Sequence, residues 1–389
     1  MKKPFPFRWR PVLALFLCVC MLLLPAAAED YDPSLYLVGG SVNGRNRAEA
    51  IIRTMTLHEK VCQLFFVTPE SFSGLGTVTS FSTELGDAFS RFPVGGIILF
   101  GRNIARRRIS ALNAGMQQAV QGINGIGLFI GADEEGGGVS RVANKLKLPE
   151  KQPSPGKTGS PDEAYKSGRT IGAYLSAYGF NLDFAPVADV RADVRKAEIT
   201  RRSYGSDPET VSRMVARFTK GLRENGVIPV LKHFPGHGAV SGNTHSGSGV
   251  SQRTLEDWKK IDFPPFTAGI LAGAEMVMVS HQLAASVDPD TPASLSPVII
   301  GLLRNELGFD GVVITDALRM GAVHNKYTSG DACVLALEAG ADMLLLPYSF
   351  TAACKGVMQA VTDGRLTEAR IDESVLRILT LKEKYGLLP

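Results

Sequence analysis

Cysteine is scarce and poorly placed for a covalent framework. Five occur in 389 residues: Cys18 and Cys20 fall in an N-terminal apolar run, and Cys62, Cys333 and Cys354 are scattered and odd in number. No CxxC pair or disulfide ladder follows, and Cys62 and Cys333, each inside an apolar or helical run, read as small buried hydrophobes. No HExxH or comparable ligand spacing is present either. Phe234-Pro235-Gly236 separates His233 from His237 and argues against a helix that would align them, so neither metal nor cofactor is expected. The Gly136-Gly137-Gly138 triplet lacks the dinucleotide fingerprint spacing.

A membrane-spanning stretch is missing as well. The run Val12–Leu24 is shorter than the ~20 apolar residues a bilayer helix needs. Preceded by Lys2, Lys3, Arg8 and Arg10 and followed by Pro25-Ala-Ala-Ala28, it reads as residues 1–28 of a bacterial secretory signal, cleaved after Ala28, with an uncleaved anchor as the alternative. Bulky Leu17 and Val19 stand before Cys18 and Cys20, which argues against lipidation. The expected product is extracytoplasmic, free of the membrane after cleavage, and monomeric. Loss of the signal takes the formal net charge from +4 to about zero, leaving no basic surface to argue for nucleic acid.

What is present is a repeating pattern. Residues 29–47 lack a period and read as an N-terminal arm; 48–389 read as one domain. Eight short apolar runs alternate with helical stretches: Gln63–Val67, Gly96–Phe100, Ile126–Gly131, Asn181–Ala185, Ile228–Lys232, Met276–Ser280, Val312–Asp316 and Asp342–Leu346. Continuous Ile, Val, Leu and Phe fit strands buried on both faces of a parallel sheet. Helices are expected over Arg107–Gln121, Ala164–Tyr178, Pro208–Asn225, Pro297–Leu307 and Gly330–Ala339, with a closing amphipathic helix over Thr367–Tyr385. Glycines 179, 226, 308 and 340 stand where helices stop. The pattern predicts an α/β fold, a (β/α)8 barrel, with a doubly wound open sheet as the competitor.

In such a barrel the chemistry lies beyond the C-terminal strand ends. Four runs lead into polar residues there: Asp133-Glu134-Glu135, Lys232-His233, Ser280-His281 and Thr315-Asp316. Asp316 reads as an anionic nucleophile or a partner for positive charge. His245, in a Ser-, Gly- and Asn-rich stretch without apolar pattern, suits general acid/base work. Arg202 and Lys232 supply donors for hydroxyls or an anion, or else form plain ion pairs. Asp133-Glu134-Glu135 is either a solvated charge run or the approach to a turn whose glycines bring the backbone close to a ligand.

Several stretches together carry a closer resemblance. They are Met55–Leu64, Gly95–Asn103, Asp133–Gly137, Asn181–Asp189, Arg202–Pro208, Lys232–Gly238, Pro292–Pro297, Leu303–Gly311 and Thr315-Asp316. In these the chain resembles glycoside hydrolase family 3, in its single-domain β-N-acetylglucosaminidase branch. The resemblance implies a retaining enzyme acting on amino sugars, with peptidoglycan-derived GlcNAc-MurNAc fragments as substrate. It implies Asp316 as nucleophile, His245 as general acid/base, and Asp133, Arg141, Arg202, Lys232 and His233 as sugar-binding groups. Another β-glycosidase activity, or a weakened sugar-binding protein, is the alternative.

Three positions depart from the family pattern. Asn243 stands where an Asp-x-His dyad has its aspartate, Gly138 where Arg is usual, and Ala317 where a second Asp is common. Each removes a charge, and Asn243 in particular cannot stabilise an imidazolium by charge.

Overall fold

The computed structural model describes residues 42–149, 151–192, 201–242, 247 and 249–389. The expected signal and the arm up to residue 41 lie outside the described residues, as do Asn243 and His245.

Eight short strands form one sheet: β1 (Phe65–Val67), β2 (Gly96–Ile98), β3 (Phe129–Ala132), β4 (Leu182–Asp183), β5 (Ile228–Phe234), β6 (Met276–Val279), β7 (Val312–Thr315) and β8 (Leu344–Leu345). Every residue in them is buried. Neighbours in sequence are parallel neighbours in space from β1 to β7. β8 then pairs with β1 (Phe65 opposite Leu344), and a bridge from Ile314 to Met343 joins β7 to the start of the β8 segment. First and last strands therefore meet, which an open doubly wound sheet does not allow, and the fold is a (β/α)8 barrel.

Helices over Ile109–Asn124, Pro161–Ala177, Pro208–Arg223, Pro297–Asn305, Ser329–Ala339 and Glu368–Lys384 lie where the periodicity places them. Their starts have a local cause. Ser160, Asp207 and Ser296 each accept a backbone N–H three residues on, with proline at the first helical position, where no donor is lost. Gly179, Gly226, Gly308 and Gly340 have left-handed φ of 80°, 70°, 63° and 105°, which ends the preceding helices. One helix, Val42–Ile52, begins inside the expected arm and runs on into the expected domain. Asn43, Gly44 and Asn46 are weak helix formers. Packing against Glu368–Lys384, with Ala48 and Ile52 buried and Arg47 3.3 Å from Glu383, stabilises it instead.

Aromatic side chains pack within the buried core. Phe66 and Phe184 meet edge to face at 5.1 Å. Gly96 makes room for Phe66, since a Cβ there would stand 2.5 Å from its ring. Gly96→Ala is expected to destabilise the fold by about 1–3 kcal/mol through overpacking, read from the midpoint of urea unfolding.

Candidate active site

Polar residues carried by different strands converge at the C-terminal end of the barrel. Asp133 follows β3, Lys232 and His233 end β5 ahead of Phe234, and Asp316 follows β7. Arg141 opens the helix Arg141–Leu146, and Arg202 precedes the helix Pro208–Arg223. These six side chains line one cavity of about 230 Å³, together with His237, Arg319, Met320 and apolar residues from β2 and β8.

One wall of that cavity is a buried ion-pair network. Lys232 Nζ lies 2.8 Å from Asp133 Oδ1 and 2.7 Å from Glu135 Oε1. Arg202 Nε donates to Glu135 Oε2 at 2.7 Å, and its Nη2 donates to the other oxygen. Burial opposes ionisation of Glu135, yet Lys232 and Arg202 outweigh it and hold the carboxyl down at about 2. Burial likewise works against the Lys232 charge, and Asp133 and Glu135 reverse that effect and raise its pKa. Both cations are thus in ion pairs, and the pairs fix them at the cavity.

Glu135→Gln leaves Lys232 and Arg202 buried with one negative charge fewer. A loss of about 3 kcal/mol or more is expected, since breaking a buried pair strands its partner. The folded pKa of Glu135 is depressed below its ordinary 4.5. Its contribution is therefore full above that value and fades as pH falls toward 2. Denaturant unfolding should show the variant's deficit at pH 7 shrinking at pH 3.

The neighbouring Glu134 is also buried and accepts from the amides of Val142 and Ala143 and from the Tyr174 hydroxyl. A solvated charge run is therefore ruled out for Glu134 and Glu135. The glycines after them do permit a close approach, but to protein. Gly136 and Gly137 have φ of 95° and 58°, and a Cβ on them would stand 2.3 Å from the Pro153 carbonyl oxygen and 2.5 Å from Ser154 Cβ. Gly138 meets nothing within 4 Å, so an arginine there is not excluded by space.

His233 is oriented by Asp189. The carboxylate takes His233 Nδ1 at 2.8 Å, the His233 amide at 3.2 Å and the His237 amide at 2.6 Å. Burial of Asp189 is overcome by the facing His233 and His237, so its carboxyl sits below the usual range. With Nδ1–H on the carboxylate, the other ring nitrogen is left for the cavity.

Asp316 has a comparable support. Its Oδ1 accepts from the Ala317 amide at 2.7 Å. The Ala317 carbonyl accepts from His281 Nε2 at 3.0 Å, and Ser294 Oγ lies 2.6 Å from His281 Nδ1. Burial pushes the Asp316 carboxyl up, but His281, His233, the Ala317 amide and His237 together hold it below the ordinary carboxylate range. Among the described residues no group donates to Oδ2, which leaves one ionised oxygen free. A carboxylate in that state is a nucleophile, and the facing network of fixed donors suits hydroxyl-rich ligands.

The residues from 56 to 381 match the family model described as the glycosyl hydrolase family 3 N terminal domain. The chain belongs to glycoside hydrolase family 3. Its relatives place it in the family's β-hexosaminidase group. Beta-hexosaminidase LpqI of Mycobacterium tuberculosis is 33% identical over 311 residues, covering 75% of this chain and 76% of the relative. Beta-hexosaminidase of Stenotrophomonas maltophilia (strain K279a) is 33% identical over 276 residues, 69% of this chain and 80% of the relative. Among solved structures, the family 3 β-N-acetylglucosaminidase from a Paenibacillus species superposes with a TM-score of 0.80 at 36% identity over 86% of this chain. This chain spans 63% of that protein's length.

Six of the eight residues singled out in the sequence share the cavity, and Asn243 and His245 lie outside the described residues. Glu135 and Asp189 carry more of the site's electrostatics than the sequence suggests. Both sit inside stretches that match the family, yet their partners Arg202 and His233 are 67 and 44 positions away.

Proposed function

We propose that this glycoside hydrolase is a secreted, retaining β-N-acetylglucosaminidase that removes terminal β-1,4-linked GlcNAc from peptidoglycan-derived GlcNAc-MurNAc fragments. The observation that carries the reading is Asp316, its carboxyl held below the ordinary range and its Oδ2 without a donor among the described residues, sharing one cavity with Lys232, Arg202 and His233. In the first step the Asp316 oxygen attacks the anomeric carbon. The bond to the leaving oxygen breaks, and that oxygen takes a proton from protonated His245. In the second, neutral His245 takes a proton from water, whose oxygen displaces Asp316 and restores the β configuration. Turnover of p-nitrophenyl β-GlcNAc, followed by labelling of Asp316 with a 2-fluoro glycoside, tests the reading. Sugar binding without a trapped intermediate would favour the weakened-binder alternative that Asn243 and Gly138 motivate.

Arg319 supports an acidic aglycone. It lines the cavity, lies 5.3 Å above the Phe100 ring, and has no carboxylate partner among the described residues. Arg319→Ala is expected to raise KM about 5- to 30-fold for GlcNAc-MurNAc, whose lactyl group carries a carboxylate, as an exposed charge-assisted contact of about 1–2 kcal/mol requires. With p-nitrophenyl β-GlcNAc, KM should stay unchanged.

A further inference from the structure

Away from the barrel mouth, His58, Cys62 and Cys354 bring an imidazole nitrogen and two thiol sulfurs within 4.8 Å of one another. His58 and Cys62 stand one turn apart on the helix Leu57–Gln63, a spacing that puts two side chains on the same face. Cys354 reaches them from the helix Phe350–Thr362. Cys62 Sγ lies 3.6 Å from His58 Nε2. Zinc bonds of about 2.3 Å to sulfur and about 2.0–2.1 Å to nitrogen, at a tetrahedral angle, demand an S···N edge of about 3.5 Å. The edge already present is therefore the one a tetrahedral ion requires.

The surroundings suit such an ion. Both thiols are buried while His58 is only half-buried, so the ring side gives access from solvent. The three donors include no carboxylate, and sulfur with imidazole selects zinc-like ions over magnesium or calcium. The Arg91 carbonyl oxygen lies 2.8 Å from the same His58 Nε2, near enough to serve as a fourth donor or to hold a water in that place.

We propose that His58, Cys62 and Cys354 form a structural binding site for a soft divalent cation of the zinc class. On binding, each thiol releases its proton to water, and the imidazole proton moves from Nε2 to Nδ1, freeing the Nε2 lone pair for the metal. Two thiolates offset the double positive charge, so no net charge is buried. The site would tie the helix ahead of β1 to the helix after β8. Those are the neighbouring first and last strands, and the ion would clamp the seam where the barrel closes. The competing readings are two thiols packed as hydrophobes, with His58 merely donating to Arg91, and a Cys62–Cys354 disulfide formed in an oxidising compartment.

The test uses the whole protein, reduced and stripped with a chelator, then titrated with Co²⁺ and Zn²⁺. Binding of a single Co²⁺ per chain with a thiolate-to-metal band in the near ultraviolet is expected, along with displacement of the band by Zn²⁺ and a Zn²⁺-dependent rise in Tm. Zn²⁺ should also shield Cys62 and Cys354 from a thiol reagent. Cys354→Ser and His58→Ala should lose or weaken the band, while Cys333→Ser, a buried cysteine outside the cluster, should keep it. A wild-type protein that shows neither band nor Tm rise overturns the proposal, as does a band that survives in both Cys354→Ser and His58→Ala. Recovery of a Cys62–Cys354 disulfide, with no metal binding after reduction, overturns it in favour of the covalent reading.

Discussion

Asp316→Asn is expected to lower turnover of p-nitrophenyl β-GlcNAc by about 10⁴-fold or more, the scale seen when a catalytic nucleophile is removed. Asparagine preserves shape and can still accept the Ala317 amide that now binds Oδ1 at 2.7 Å. What it lacks is the second, ionised oxygen, and an amide cannot form the glycosyl-enzyme. The loss should appear in kcat, with substrate affinity held by the Lys232, Arg202 and His233 wall.

Stability supplies a second readout with a definite sign. The folded pKa of Asp316 is depressed, with His281, His233 and His237 outweighing burial. Its charge therefore stabilises the fold above the ordinary carboxylate range, and that contribution disappears as pH falls through the folded value. Asp316→Asn should be less stable than wild type at pH 7, and the deficit should shrink as pH falls below the ordinary carboxylate range, as measured by thermal unfolding across pH. A variant that retains wild-type kcat would remove Asp316 as the nucleophile.

The barrel was readable because its strands are buried on both faces. Runs such as Gly311-Val-Val-Ile-Thr and Glu275-Met-Val-Met-Val have no polar face to hide, and helices with proline starts and glycine stops separate them. Polar residues at the ends of such runs had no packing explanation, so Lys232, His233, His281 and Asp316 stood out. Features that depend on partners distant in sequence did not. Glu135 looks like part of a surface charge run until Arg202 and Lys232 are seen to enclose it. The glycines after it look like a ligand cradle until Pro153 and Ser154 occupy the space. The helix Val42–Ile52 is set by contact with the C-terminal helix rather than by its own propensity. Cys62 reads in sequence as a small buried hydrophobe, because Cys354, which comes near it and His58, lies almost three hundred residues away.

Asn243→Asp is expected to raise kcat/KM, and the gain tests whether the missing dyad charge limits the enzyme. A general acid must be protonated when it meets the leaving oxygen and neutral when it activates water. A carboxylate beside the imidazole stabilises the first state and fixes the tautomer for the second. Asn243 can supply a hydrogen bond but no charge. In the Ser-His-Asp triad, Asp→Asn costs about 10⁴ in kcat through the wrong tautomer. Restoring the carboxylate here should therefore yield a gain of about 10- to 10³-fold, within the range general acid–base catalysis supplies. The gain must depend on the leaving group. p-Nitrophenol departs with little help from a proton, so its glycosylation step should change least. GlcNAc-MurNAc, whose leaving alcohol needs full protonation, should change most. The imidazole pKa should also rise, shifting the alkaline limb of kcat/KM to higher pH. Equal rates for wild type and Asn243→Asp on both substrates would mean that Asn243 does not limit His245, and that the acid/base group is completed by some other residue.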